Sequence, residues 1–297
     1  MRLRIGTRRS KLALWQSNLV ADKLNAIGVQ TELVEIESFG DKVQDLPLHK
    51  LGDKGVFTKA LDDALLAEKI DLAVHSLKDV PTSLEEGLAL AAVLERANPI
   101  DVLVQPKNYE GNTSAKTIAT GSIRRSAFWK NKYPEDNVVD LRGNVPTRLK
   151  KVDSLGWDGA IFAHAGLERL GLEERISEEL PWMISAPSQG AIGIVTKSDR
   201  VHNEIISVLN DSDTRICVDI ERGFLRTLDA GCSSPVGALA EINSGILSFK
   251  GAVLSVDGKE RVDIEEELKL VDATETLGQE FAKKVINKGA FRLLSGK

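Results

Sequence analysis

The sequence predicts an α/β protein that closes with a smaller α+β domain, and three observations carry that reading. Short apolar runs alternate with helix-spaced apolar residues from Leu3 to Leu209. That βαβ rhythm implies a mainly parallel sheet. After Asp213 the order changes to a helix, three strands in hairpin order and a closing helix, which suits a small α+β unit. The length, 297 residues, allows two or more domains at roughly 150 residues each.

In chain order, Leu3–Gly6 reads as a strand. Leu12–Leu24 reads as a helix with apolar Leu12, Trp15, Leu19 and Leu24, and Ser10 stands where an N-cap belongs. Thr31–Glu37 alternates as a strand, Thr58–Glu68 is helical with Thr58 as its cap, and Ile70–Val74 and Leu88–Leu94 are buried-type strands. Between Phe39 and Val56, Gly40, Pro47, Gly52 and Gly55 interrupt charged residues without periodicity. A loop of that length inside a domain is usually functional or mobile. The rhythm resumes with strands at Asp101–Val104, Thr117–Ala119, Val138–Leu141, Ala160–Ala163 and Ala191–Thr196, and helices at Ile123–Lys132, Val145–Leu155 and Val201–Leu209. The last part holds a helix at Ile216–Leu228, strands at Val236–Glu241, Ile246–Val256 and Val262–Leu268, and a helix at Thr274–Asn287.

Composition excludes several classes. With 39 Lys and Arg against 44 Asp and Glu, a net charge of −5, 42% hydrophobic and 28% charged residues, the chain is neither disordered nor collagen-like. The mildly acidic total argues against a nucleic-acid binder. No stretch approaches the ~18 apolar residues that span a bilayer. Met1–Ser10 carries basic residues with no apolar run behind them, so it does not read as a signal peptide. Two cysteines and four histidines make no disulfide framework and argue against a metal site. We therefore expect a cytoplasmic protein.

Basic residues gather at strand-to-helix turns: Arg8, Arg9 and Lys11; Lys78; Arg124 and Arg125; Arg142 and Arg148; with Lys54 and Lys59 flanking the Gly-rich loop. Ligands of open α/β sheets sit beyond the carboxyl ends of the strands, where helix N-termini favour anions and Arg grips carboxylates in bidentate fashion. One such Arg is ordinary surface charge; four clusters at switch points indicate a cleft for a small polyanion. In Ala73–Pro81 a buried-type strand runs into His75, Lys78 and Asp79. Asp79 is either an acid–base or cation-stabilising group or part of a surface turn, with His75 a core histidine. Cys217 lies in an apolar helical context, where a thiol is an inert hydrophobe. Cys232 lies in the turn Gly231–Pro235, which gives a reactive or modified thiol its access. The small residues of Ser185–Ala191 allow either close approach to a ligand or a hinge.

Together these pieces resemble the hydroxymethylbilane synthase (porphobilinogen deaminase) family. The matching blocks are Gly6–Gln16, Lys54–Phe57, Ala73–Pro81, Thr120–Arg125, Asp140–Arg148, Ala165–Gly171, Ala186–Gly193 and Asp229–Cys232 with Pro235. The Lys-Asp-Val-Pro and Arg-Gly-Asn-Val blocks, with a late Gly-Cys, are jointly very specific. Gly52-Asp53 stands where the family commonly has two glycines.

The resemblance implies a transferase of tetrapyrrole (heme) biosynthesis. It would condense four porphobilinogen molecules head to tail onto a covalent dipyrromethane primer, with loss of ammonia, and release hydroxymethylbilane by hydrolysis. The thioether to the dipyrromethane cofactor falls on Cys232, and the catalytic carboxylate on Asp79. Cofactor and substrate carboxylates fall to Arg8, Ser10, Lys78, Thr120, Ser122, Arg124, Arg125, Arg142, Arg148, Arg169, Ser185 and Gln189; Lys54 and Lys59 belong to the active-site loop. No metal, nucleic acid or membrane is implied, and a monomer is expected. The implied fold is two periplasmic-binding-protein-like α/β domains plus the smaller α+β C-terminal domain: residues 1–95 with 191–212, residues 96–190, and residues 213–297. Two rivals are an anion-binding protein without catalysis and a thiol-dependent acyltransferase. The first leaves Asp79 and Cys232 without a purpose; the second lacks a histidine paired with Cys232.

Overall fold

A computed structural model describes residues 2–37, 58–111, 114–199, 203–231 and 234–295. The expected Gly-rich loop with Lys54, and the expected attachment residue Cys232, lie outside the described residues.

The first sheet has the order β2–β1–β3–β10–β4. Its strands are β1 (Arg2–Thr7), β2 (Gln30–Glu35), β3 (Leu72–Ser76), β4 (Leu88–Val93) and β10 (Ile192–Lys197). The second has the order β7–β6–β8–β5–β9, from β5 (Asp101–Val104), β6 (Thr117–Ala119), β7 (Asn137–Val139), β8 (Gly159–Ala163) and β9 (Glu178–Glu179). The two orders are the same pattern. In each, one strand runs antiparallel to both neighbours, β10 in the first and β5 in the second. Those two strands are the ones the chain enters on crossing from one sheet to the other. The mainly parallel sheet expected from the βαβ rhythm is therefore a mixed one, four strands running one way and one against them.

Both sheets are covered on two faces, as their nearly continuous apolar strands require. Side chains of β3 alternate. Val74 packs with Val20 and Leu24 of helix α1 (Lys11–Ala26). Ala73 packs with Leu61 and Leu65 of α2 (Lys59–Leu66). In the second sheet Leu103 and Ile161 meet Phe128 of α3 (Ile123–Lys132), while Val102 and Phe162 meet Leu149 and Val152 of α4 (Val145–Ser154) and Leu167 of α5 (His164–Glu168).

After a short α6 (Asn203–Ser207), helix α7 (Ser212–Thr227) leads into the antiparallel sheet β11 (Val236–Asn243), β12 (Ile246–Leu254) and β13 (Arg261–Lys269). Helices α8 (Leu277–Asn287) and α9 (Ala290–Ser295) close its apolar face, with Phe249 between Phe224 and Phe281 at ring distances of 5.2 and 4.7 Å. This last unit is fastened to both sheets. Val218 of α7 joins the core beside β3, and Ala252 and Leu254 of β12 join the core under α3.

Several element limits shift, three of them for a visible reason. Thr58 already has helical backbone angles and makes no capping bond. The strand expected at 70–74 runs from 72 to 76, because Ile70 fills the core from the turn before it. The closing helix begins at Leu277, after a 3-10 turn at Leu270–Asp272.

Candidate active site at the strand ends

The carboxyl ends of β1, β3, β6, β7 and β8 and the starts of the reversed strands β5 and β10 come together between the two sheets. Each contributes polar residues there for a local reason. Beyond β1, Ser10 caps α1 by accepting from the Ala13 amide at 3.2 Å, which leaves Arg8 in the connecting turn. Beyond β3 the chain makes a 3-10 turn, Leu77–Asp79. Leu77 and Val80 are buried, and the Leu77 amide is tied to the Ala191 carbonyl at 3.0 Å. With those two side chains inside, Lys78 and Asp79 are turned outward; Lys78 is half-buried and Asp79 exposed. His75 is a core histidine, and burial together with the Arg8 charge pushes its pKa down to about 4.

The facing wall comes from the second sheet. Ser122 caps α3, accepting from the Arg125 amide, and Thr120 Oγ1 accepts from the Ser122 amide at 3.2 Å. Arg124 and Arg125 thus occupy a first helical turn, where the dipole disfavours cations. Asp101, at the start of β5, compensates them: Arg124 Nη2 and Arg125 Nη2 lie 2.6 and 2.8 Å from its carboxylate, and Arg125 Nε donates to it at 2.9 Å. Burial works to raise the Asp101 carboxyl, but the two guanidiniums and Gln189 outweigh it and hold it below the usual carboxylate range. On α4, capped by Asn144, Arg148 Nε donates to the Gly143 carbonyl at 2.6 Å. Burial, then Arg125 and Arg142, press Arg148 down to about 10, while Asp79 acts on it in the opposite sense from across the gap. Burial also lowers Arg124 and Arg142.

Lys78 is pushed down to about 8, first by burial and then by the Arg125 charge. Within this group Lys78, Arg124, Arg125, Arg142 and Arg148 outnumber Asp79, Asp101 and Asp140. A net positive, poorly hydrated surface favours an anion that brings several carboxylates. The sign of one pH effect follows. As pH rises through about 8, Lys78 gives up its charge, so kcat/KM for an anionic substrate falls. Lys78→Arg should move that limb to higher pH; a profile unchanged by the substitution would refute the assignment.

Several residues expected to hold ligand carboxylates also make bonds within the chain. Gln189 joins several segments: Oε1 accepts from Lys78 Nζ at 3.1 Å, and Nε2 donates to the Pro99 carbonyl at 2.6 Å and to Asp101 at 3.0 Å. Ser185 Oγ also donates to the Pro99 carbonyl, at 2.7 Å. Gly190, beside Gln189, takes φ +86°, and a Cβ there would run into the Ala97 carbonyl oxygen, so only glycine lets the two crossing segments touch. Arg169 donates to the Gly190 carbonyl at 2.6 Å and lies over the Trp15 ring, and burial lowers it to about 10. Lys59 stands on the first position of α2 instead of in the loop, paired with Asp63 at 2.7 Å and Glu85 at 2.9 Å.

Two residues that the sequence reading passed over prove central. Asp101 is the only acid in its four-residue strand, and that strand is buried throughout. Glu221 lies on the buried stripe of α7 with Cys217, Phe224 and Leu225, a spacing that marks it as a buried acid. Cys217 itself is buried and its thiol is pushed up to about 12 by burial and Glu221, which suits an inert core residue.

The residues 3–204 match the family model for "Porphobilinogen deaminase, dipyromethane cofactor binding domain", and residues 215–287 match "Porphobilinogen deaminase, C-terminal domain". The chain belongs to the porphobilinogen deaminase family. It is similar to the Porphobilinogen deaminase of Syntrophomonas wolfei, 42% identical with 98% of this chain and 97% of the relative covered. It is similar also to that of Prochlorococcus marinus, 43% identical over 99% of this chain and 96% of the relative. Among solved structures it is similar to the periplasmic VFT2 domain of Bordetella pertussis BvgS, with TM-score 0.43 and 15% identity, covering 70% of this chain and 85% of that one. The cofactor-binding part of the porphobilinogen deaminase match takes in both five-stranded sheets. It contains every expected site residue except Cys232, which falls in the C-terminal part.

Proposed function

We propose that this chain is a hydroxymethylbilane synthase, joining four porphobilinogen molecules head to tail with loss of ammonia and releasing hydroxymethylbilane by hydrolysis. The observation that supports this best is the buried, net-positive cluster that closes on one exposed carboxylate, Asp79. Each porphobilinogen brings an acetate and a propionate, so the growing chain is a lengthening polyanion. Arg8, Lys78, Arg124, Arg142 and Arg148 would hold those carboxylates. Arg125 lends its charge while its hydrogen bonds go to Asp101 and the Ile161 carbonyl.

A dipyrromethane held on Cys232 would supply the free pyrrole carbon that receives the first unit. The chain's residues fit such a group: buried Arg124 Nε has no hydrogen-bond partner among the described residues, and the desolvated cations favour an oligocarboxylate. Asp79 would accept the pyrrole N–H and stabilise the azafulvenium cation left when the carbon–nitrogen bond of the substrate breaks and ammonia departs. Its charge matters most as that cation forms, which is differential transition-state binding. Plain anion capture is the weaker reading, because a carboxylate set among carboxylate-binding cations lowers affinity for an anion.

We also read the chain as a cytoplasmic monomer with functional divisions at 1–95 with 191–212, 96–190 and 213–297. Among the described residues no helix is long and apolar enough to cross a membrane. Intact-protein mass tests the core of the proposal. Protein from cells that make porphobilinogen should carry an adduct of two linked pyrrole units, absent in Cys232→Ser. An unmodified wild-type chain would overturn it.

A further inference from the structure

We propose that Arg222 is a positioning residue for Asp79, acting through the backbone of the turn that carries it; this rests on the reading of Asp79 given above. Arg222 lies on the buried side of α7, 6% exposed. Its Nη1 donates to the Val80 carbonyl at 3.0 Å and its Nη2 to the Pro81 carbonyl at 2.6 Å. Those are the two residues that follow Asp79. A planar guanidinium presents its donors at a fixed spacing, so binding two consecutive carbonyls fixes the orientation of that backbone more tightly than one bond could. Pro81 adds a fixed φ. At the near side, the Leu77 amide is tied to Ala191 and the Val80 amide to the Leu77 carbonyl at 3.1 Å. Asp79 is thus exposed on a turn clamped on both sides.

The clamp comes from the helix that leads to Cys232. Its neighbour Glu221 is fully buried and accepts from Arg96 Nη1 at 2.6 Å, the Ser188 amide at 2.6 Å and the Ala240 amide at 2.8 Å. One turn of α7 therefore grips both crossing segments through Glu221 and the Asp79 turn through Arg222. A few residues later the chain reaches Gly231. The same helix therefore carries the clamp on the Asp79 turn and leads the chain toward Gly231.

The test is a double-mutant cycle on the full-length protein. Arg222→Met should lower kcat by about 10- to 100-fold, the scale expected for a small misplacement of a reacting group, with KM little changed. Arg222→Lys keeps the charge and a donor group without the planar fork, and should recover part of that loss. In an Asp79→Asn background, Arg222→Met should cost less than about twofold, because groups that act as a unit are not additive. Hydrogen exchange of the peptide 77–84 should quicken in Arg222→Met. The same fold loss in both backgrounds, or wild-type kcat in a folded Arg222→Met protein, would overturn the proposal. If Arg222→Met fails to fold, Arg222→Lys and Arg222→Gln are run through the same cycle. Normal turnover in Asp79→Asn alone would remove the reading of Asp79, and this proposal with it, whatever Arg222 does.

Discussion

Asp79→Asn is expected to lower kcat by about 10²- to 10³-fold, the scale for removing one group aimed at developing charge. The substitution keeps the shape of the side chain and takes away its charge and one acceptor oxygen. Asp79 is exposed, so the fold should be almost unaffected, within about 0.5 kcal/mol for such a surface site. KM carries the sharper information. Asp79 opposes the positive field felt by Lys78 and Arg148, so its neutral replacement should bind a polycarboxylate as well as before, or better. A fall in kcat with KM unchanged or reduced is the signature of an interaction made only in the transition state. Steady-state kinetics on porphobilinogen, with a thermal melt as control, measures both. A rise in KM with normal kcat would place Asp79 in ground-state binding and refute its assigned role.

Asp101→Asn should have the largest effect on stability. Asp101 is fully buried and pairs with two buried guanidiniums. The asparagine keeps hydrogen-bonding capacity for Gln189 but leaves both cations without their counter-charge in a poorly hydrated wall. Breaking a buried ion pair from one side costs about 3–5 kcal/mol, against a total stability of about 5–15 kcal/mol for a typical domain. The melting temperature should drop by roughly 10 °C. Removing the arginine side in the same background should return part of the loss, since Arg124→Met with Asp101→Asn takes away an unpaired charge. A melting temperature within about two degrees of wild type for Asp101→Asn would show that the guanidiniums do not depend on this carboxylate.

How much was legible in advance varies with the range of the interaction. The elements 101–104, 117–119 and 123–132 emerged from sequence at the limits found in the structure. Their signals are local: short buried apolar runs and helix-spaced apolar residues. Ile70 misled, because a buried apolar side chain in a turn looks like the start of a strand. The polar residues were found by type and place, and Ser10 was read as the helix cap it is, yet most partners were not. Ser122 also caps a helix, Ser185 and Gln189 tie the crossing segments, and Lys59 pairs on the outside of α2. Each of the last three depends on a residue distant in the chain or on the way a helix faces, neither of which spacing records.

The sequence by itself determined the family, the alternation of strands and helices, and the gathering of basic residues at strand-to-helix turns with Asp79 among them. These follow from local pattern and residue chemistry, which need no partner to be read. Only the tertiary structure decided which of those charges are compensated. Arg124 and Arg125 lean on Asp101, Gln189 joins Lys78 to that pair, and α7 reaches back to hold the Asp79 turn. The physical reason is that a charge is valued by its burial and its neighbours. In this chain the deciding neighbours arrive on strands and helices far away in sequence.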